Sequence, residues 1–214
     1  GKQADLIIAN NVYAHVPDLN DFTAGLKALL KENGTITLEF PHLMQLLKHT
    51  QFDTVYHEHF SYLSLYTVSK IFSAHDLRVW HVEELDTHGG SLRVYGCHED
   101  SERPSTQTIE EVLLKEKRED IYEMGTYISF QERVDKTKDA ILKFLIEQKA
   151  KGKKVIAYGA AAKGNTLLNY AGVKPDLLSQ VYDAAESKQG MYLPGSHIPI
   201  LNPDEMKQCK PDYI

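Results

Sequence analysis

The sequence predicts an α/β fold, and three observations carry that prediction. Residues 5–10 form a continuous apolar run of strand length, residues 19–31 place Phe22, Leu26, Leu29 and Leu30 at helical spacing, and residues 35–40 alternate as a second strand. Strand, helix and strand in that order build a parallel sheet. With 42% apolar and 25% charged residues over 214 positions, the chain has an ordinary globular composition and room for one domain or two.

Each element has its own signal. The unbroken apolar run at residues 5–10 is expected to be a strand covered on both faces. Pro17-Asp18 turns the chain into the first helix, and Asn33-Gly34 is expected to stop it. Pro41 closes the strand at 35–40, and an irregular stretch runs to Tyr66. Residues 67–75 read as a helix, and residues 78–82 and 91–96 as two strands joined by Thr87-His88-Gly89-Gly90, an antiparallel edge hairpin. Residues 99–106 are polar and contain one Pro, as a linker would. Residues 109–151 are charged, periodic and free of Pro, which predicts one or two solvated amphipathic helices. The second part then repeats the opening logic. A short strand at 155–158, a turn through Gly159 and Gly164, a helix at 167–170 and a strand at 178–182 ending at Asp183 make a small Rossmann-like half.

Charge divides the chain near residue 103. Residues 1–103 hold 8 basic and 14 acidic side chains, net −6, whereas residues 104–214 hold 16 of each, net zero. Nine of the ten histidines fall between His15 and His98. The overall charge of −6 argues against nucleic acid or an anionic membrane as partner, and no apolar run is long enough to span a bilayer. Two distant cysteines, Cys97 and Cys209, exclude a disulfide scaffold or a Cys-rich zinc site within these residues and fit a reducing cytoplasm. The chain opens without Met almost directly on a strand and closes on Lys210-Pro211-Asp212-Tyr213-Ile214, which reads as the entrance to another, so a piece of a longer chain is expected.

The densest polar cluster is Tyr56-His57-Glu58-His59, in a connection where catalytic groups often sit. A histidine beside a carboxylate and a phenol gives a base tunable near neutral pH, suited to removing a proton next to a carbonyl. A solvated surface loop is the plain alternative, and a metal site through His57 and His59, as in a metal-dependent hydrolase, is another. Asn10, Asn11 and His15 follow the carboxyl end of the first strand, where open α/β sheets bind ligands, although an Asn also caps turns. His88-Gly89-Gly90-Ser91 can present backbone amides, or simply turn a hairpin. The loop from Gly159 to Thr166 precedes a helix whose N-terminus favours an anion, yet it matches neither G-x-G-x-x-G nor a Walker A loop.

Four ordered motifs resemble the sugar C-methyltransferases: Asn10-Asn11-Val12 with His15-Val16-Pro17-Asp18; Phe52-Asp53 with Tyr56-His57-Glu58-His59-Phe60-Ser61-Tyr62; His88-Gly89-Gly90-Ser91; and Tyr158-Gly159-Ala160 with Lys163-Gly164-Asn165-Thr166-Leu167-Leu168-Asn169-Tyr170. The resemblance runs over essentially the whole chain. It implies S-adenosylmethionine (SAM)-dependent methylation of a nucleotide-diphosphate keto-deoxysugar through an enolate. It also implies two parts: residues 1–101 as the back half of a class I, Rossmann-like methyltransferase domain, and residues 102–214 as most of a second Rossmann-like domain.

By the same resemblance His59 is the base, Glu58 and Tyr56 tune it, and Asn11 and His15 face the sugar ketone. Ala9 and Asn10 border the methionine end of SAM. His88, Gly89, Lys163, Asn165 and Thr166 are the expected substrate contacts. The family's Gly-rich SAM loop and its zinc module with several Cys have no counterpart in these residues, so the SAM site is incomplete here, zinc belongs only to that missing module, and no metal site is expected in this chain. A module that binds a nucleotide sugar without catalysis remains the alternative from a different class.

Overall fold

The computed structural model describes residues 1–214, which form two units. The first comprises Gly1–Gln51 and His57–Ile128, and the second Phe52–Tyr56 and Ser129–Ile214.

The first unit is built on a four-stranded sheet in the order β1-β2-β4-β3, where β1 is Ala4–Asn10, β2 Leu30–Pro41, β3 Leu77–Leu85 and β4 Ser91–His98. β1 and β2 run parallel, and β4 pairs antiparallel with both β2 and β3, so the expected edge hairpin is present. Helix α1 (Leu19–Leu29) starts at Asp18, whose carboxylate accepts the amides of Asn20 and Asp21. It ends earlier than Asn33-Gly34. Leu30 is fully buried and already pairs with Ala4, so sheet pairing takes over before the glycine signal is reached. Gly34 serves that irregular stretch instead, because a Cβ there would lie 2.7 Å from Leu30 Cδ1.

A second departure concerns β1. Leu6 and Ile8 are 53% and 64% exposed on this edge strand, so the apolar run is not covered on both faces within the unit. The core lies on the other side of the sheet. Ile36, Leu38 and Phe40 of β2 and Leu92 and Val94 of β4 pack there against Leu65, Val68 and Phe72 of α3 (Leu65–Ala74). Fully burying side chains of this kind contributes roughly 1.5–3 kcal/mol each. The irregular stretch expected from Pro41 to Tyr66 holds a short helix, α2 (Leu43–Lys48), and a 3-10 turn at Phe52–Thr54.

Residues 109–151 resolve into α4 (Thr108–Arg118) and α5 (Met124–Ala150). α4 is more than a solvated connector. Its Glu116 is fully buried and accepts the backbone amides of Leu65 (2.6 Å) and Tyr66 (3.1 Å), the first two residues of α3, and so caps that helix. His42 Nε2 (2.8 Å) and the Tyr122 hydroxyl (2.8 Å) complete its hydrogen bonds.

The second unit carries three short parallel strands in the order β5-β6-β7: β5 (Ala157–Tyr158), β6 (Val181–Tyr182) and β7 (Ile200–Leu201). α6 (Ala162–Tyr170) follows β5, giving strand, Gly-containing turn, helix and strand in the expected order, but the helix starts five residues before Leu167, so Lys163, Asn165 and Thr166 lie within it and not in the loop that precedes it. Leu168, Val173, Val181, Ile198 and Ile200 form its core with Leu145 of α5. The 3-10 turn Phe52–Thr54 packs on α6 in this unit. A four-residue helix, α7 (Met206–Cys209), lies near the end of the chain. No helix is long and apolar enough to cross a membrane.

Candidate active site

The carboxyl end of β1 carries Asn10 and Asn11, both exposed, after the buried Ala9. Asn11 sits in the left-handed region at φ 54°, which Asn tolerates better than most residues, and its amide donates to the Glu39 carbonyl at 2.7 Å. A 3-10 turn, Tyr13–His15, follows. Tyr13 is fully buried and its hydroxyl lies 2.6 Å from Thr23 Oγ1 of α1, so the turn is anchored from below while His15 stays half-buried at the surface.

The histidine loop meets that turn. The Ala14 carbonyl accepts the amides of Phe60 (2.9 Å) and Ser61 (3.2 Å). The His15 and His59 rings lie edge-on with centroids 4.8 Å apart, and His59 meets Tyr62 at 6.1 Å. Two motifs far apart in sequence thus converge at the end of β1. His57 and Glu58 are exposed, and Tyr56, the first residue of the cluster, belongs to the second unit. No group of three His, Cys, Asp or Glu side chains gathers in a geometry able to hold a metal ion.

The β3–β4 turn depends on left-handed backbone geometry and on neighbours that hold it. His88 has φ 54°, and Gly89 and Gly90 have φ 82° and 111°, so glycine is needed at the last two positions. The Gly89 carbonyl accepts Gln51 Nε2 at 2.8 Å, the Gly90 carbonyl accepts the His42 amide at 3.0 Å, and His88 is exposed. Glu39 secures the same turn. It is buried, binds Arg93 Nη2 at 2.8 Å and accepts the Thr87 hydroxyl at 3.3 Å, while its own carbonyl holds Asn11. Glu39 belongs to no motif of the sequence; a carboxylate within the apolar strand that Pro41 closes is its only local signal.

In the second unit, α6 begins at Ala162 with no side-chain cap, which leaves its first amides open to an anion. Lys163 and Asn165 lie in its first turn, and Asn165 Oδ1 is buried without a hydrogen-bond partner. The Thr166 hydroxyl donates back to the Ala162 carbonyl at 3.0 Å. Asp183 braces the loop: its carboxylate accepts the Ala185 amide at 2.8 Å and the Ala160 amide at 2.6 Å, with Lys188 Nζ at 3.4 Å. These amide bonds hold the Asp183 carboxyl below the usual carboxylate range.

Comparison with known proteins divides the chain elsewhere, within the first unit. Residues 86–214 match the family described as the C-methyltransferase C-terminal domain, and residues 1–82 match a methyltransferase domain family. The C-methyltransferase NovU of Streptomyces niveus is 37% identical over 210 residues, covering 98% of this chain and 50% of NovU, so the chain spans about half the length of this curated relative. Two solved structures show weak likeness. Magnesium protoporphyrin IX methyltransferase from Synechocystis PCC 6803 with bound SAH is 14% identical, with a TM-score of 0.36 over 46% of either chain. PKMT2 from Rickettsia typhi in complex with AdoHcy is 10% identical, with a TM-score of 0.34 over 49% of this chain and 37% of PKMT2.

Proposed function

The chain belongs to the C-methyltransferase family, and from that membership we propose that it serves SAM-dependent methylation of the carbon beside the ketone of a nucleotide-diphosphate keto-deoxysugar. The meeting of His15 and His59 at the carboxyl end of β1 carries this reading, because it gathers two imidazoles where the open end of a parallel strand pair receives ligands.

In the proposed chemistry, His59 takes the proton from the carbon next to the ketone, and Glu58 and Tyr56 tune its basicity. His15 and Asn11 donate toward the ketone oxygen as it gains negative charge, which stabilises the enolate. Ala9 and Asn10 would border the methionine part of SAM; a small buried residue followed by an exposed carboxamide fits that role as one wall of a site. When bound, SAM supplies the electrophilic methyl group that the enolate carbon accepts. The open N-terminus of α6, with Lys163, Asn165 and Thr166, would hold the diphosphate, the Thr166 hydroxyl turning from the Ala162 carbonyl to donate to it, and His88 and Gly89 would border the sugar. A hydrolase using His57 and His59 is not favoured, because no third ligand joins them.

The test is His59→Ala in the intact protein. Methyl transfer to the nucleotide keto-sugar is expected to vanish while calorimetry still detects binding of that sugar nucleotide. Near-normal turnover would overturn the assignment of the base.

A further inference from the structure

Phe52–Tyr56 is part of the second unit, although the residues on either side of it in sequence belong to the first. Its hold there has a definite structure. Phe52 and Thr54 are buried, and the Phe52 ring lies 5.3 Å from the ring of Tyr170, tilted by 58°. Tyr170, the last residue of α6, is fixed in turn by α5: its hydroxyl donates to Asp135 Oδ1 at 2.7 Å and accepts from Gln131 Nε2 at 2.7 Å. Within the segment, the Val55 amide donates to the Phe52 carbonyl at 2.9 Å and the Tyr56 amide to the Thr54 carbonyl at 3.1 Å. Tyr56 is therefore placed by a tight turn whose first residue is clamped under Tyr170.

We propose that Tyr170 is a positioning residue: by clamping Phe52 it sets the place of Tyr56. The same nine-residue helix carries Lys163 and Asn165 in its first turn and Tyr170 at its end. One rigid element thus links the expected diphosphate contacts to the start of the catalytic loop. Its catalytic consequence rests on the function proposed above; the clamp itself does not.

Two variants of the intact protein test this. Tyr170→Ala removes the ring that covers Phe52, whereas Tyr170→Phe keeps the ring and removes only the hydroxyl. Hydrogen exchange at the Val55 and Tyr56 amides is expected to accelerate about tenfold or more in Tyr170→Ala and to change little in Tyr170→Phe. In the methyl-transfer assay, kcat is expected to fall about tenfold or more in Tyr170→Ala with KM for SAM nearly unchanged, and Tyr170→Phe to keep most of its turnover. Unchanged exchange in Tyr170→Ala overturns the clamp. Faster exchange with unchanged kcat overturns the positioning role. If the unsubstituted protein transfers no methyl group, the proposed function fails, and the exchange arm still decides whether Tyr170 places Tyr56.

Discussion

The Glu116 carboxylate lies 2.8 Å from Nε2 of His42, and neither side chain is reached by solvent. A carboxylate in that position can only accept, so the imidazole carries its proton on Nε2. The same carboxylate takes the first two amides of α3 and the Tyr122 hydroxyl. It therefore ties three segments of the first unit together: the end of β2, the start of α3 and α4.

Removing that carboxylate leaves several buried donors without an acceptor. Glu116→Ala is expected to cost about 3–5 kcal/mol in thermal or denaturant unfolding, the range for breaking a buried pair. Glu116→Gln keeps an acceptor oxygen and is expected to cost less. A loss under about 1 kcal/mol in Glu116→Ala would show that the cap does little for the fold.

The same group predicts a pH dependence. Burial works to raise the Glu116 pKa, but the bonds from His42, the Leu65 amide and Tyr122 outweigh it, and the carboxyl ends below the usual carboxylate range. A lowered folded pKa adds stability that is fully present above the ordinary pKa near 4.5 and is lost as pH falls through the depressed value. Unfolding followed from neutral pH into that acid window is expected to show a shallower loss of stability in Glu116→Gln than in the unsubstituted chain. Parallel curves would contradict the assignment.

Gly96 in β4 faces the α3 side of the core. A Cβ there would lie 2.3 Å from Phe72 Cε2, and Phe72 is fully buried. Gly96→Ala is expected to destabilise by about 1–3 kcal/mol through overpacking. Adding Phe72→Leu should recover part of that loss, and strict additivity in the double-mutant cycle would rule out the clash.

Asp183 holds the loop that leads into α6. Asp183→Ala leaves the Ala160 amide without its acceptor and is expected to cost about 1–3 kcal/mol, together with weaker binding of a nucleoside diphosphate by calorimetry. The Lys188 contribution is small, because that side chain is 43% exposed. Unaltered stability and binding would show that the loop keeps its shape without the carboxylate.

The parts of this fold that could be read in advance are those with local causes. The start of α1 at Asp18 and the edge hairpin follow Pro17-Asp18 and Thr87-His88-Gly89-Gly90 because turn chemistry is written in a few neighbouring residues. The end of α1 was not readable at Leu29, because the pairing of Leu30 with Ala4 is a tertiary event that overrides a glycine four residues on. Glu116 lay hidden for a similar reason: among the many charges of α4, periodicity does not say which carboxylate turns inward to meet α3. The histidine cluster stood out by composition, but its meeting with His15 depends on the Ala14 carbonyl holding Phe60 and Ser61, which no spacing rule encodes. The exposure of Leu6 and Ile8 was equally invisible, since an apolar run reads the same on an edge strand as in the middle of a sheet.

Solvent deuterium reports on removal of a proton by His59. The intact protein is incubated with its nucleotide keto-sugar in D2O, without transferable methyl donor, and the sugar is examined by NMR and mass spectrometry. The unsubstituted protein is predicted to place deuterium on the carbon beside the ketone, and His59→Ala to leave that position protonated although it still binds the sugar nucleotide. Equal deuterium incorporation by both proteins would exclude His59 as the base.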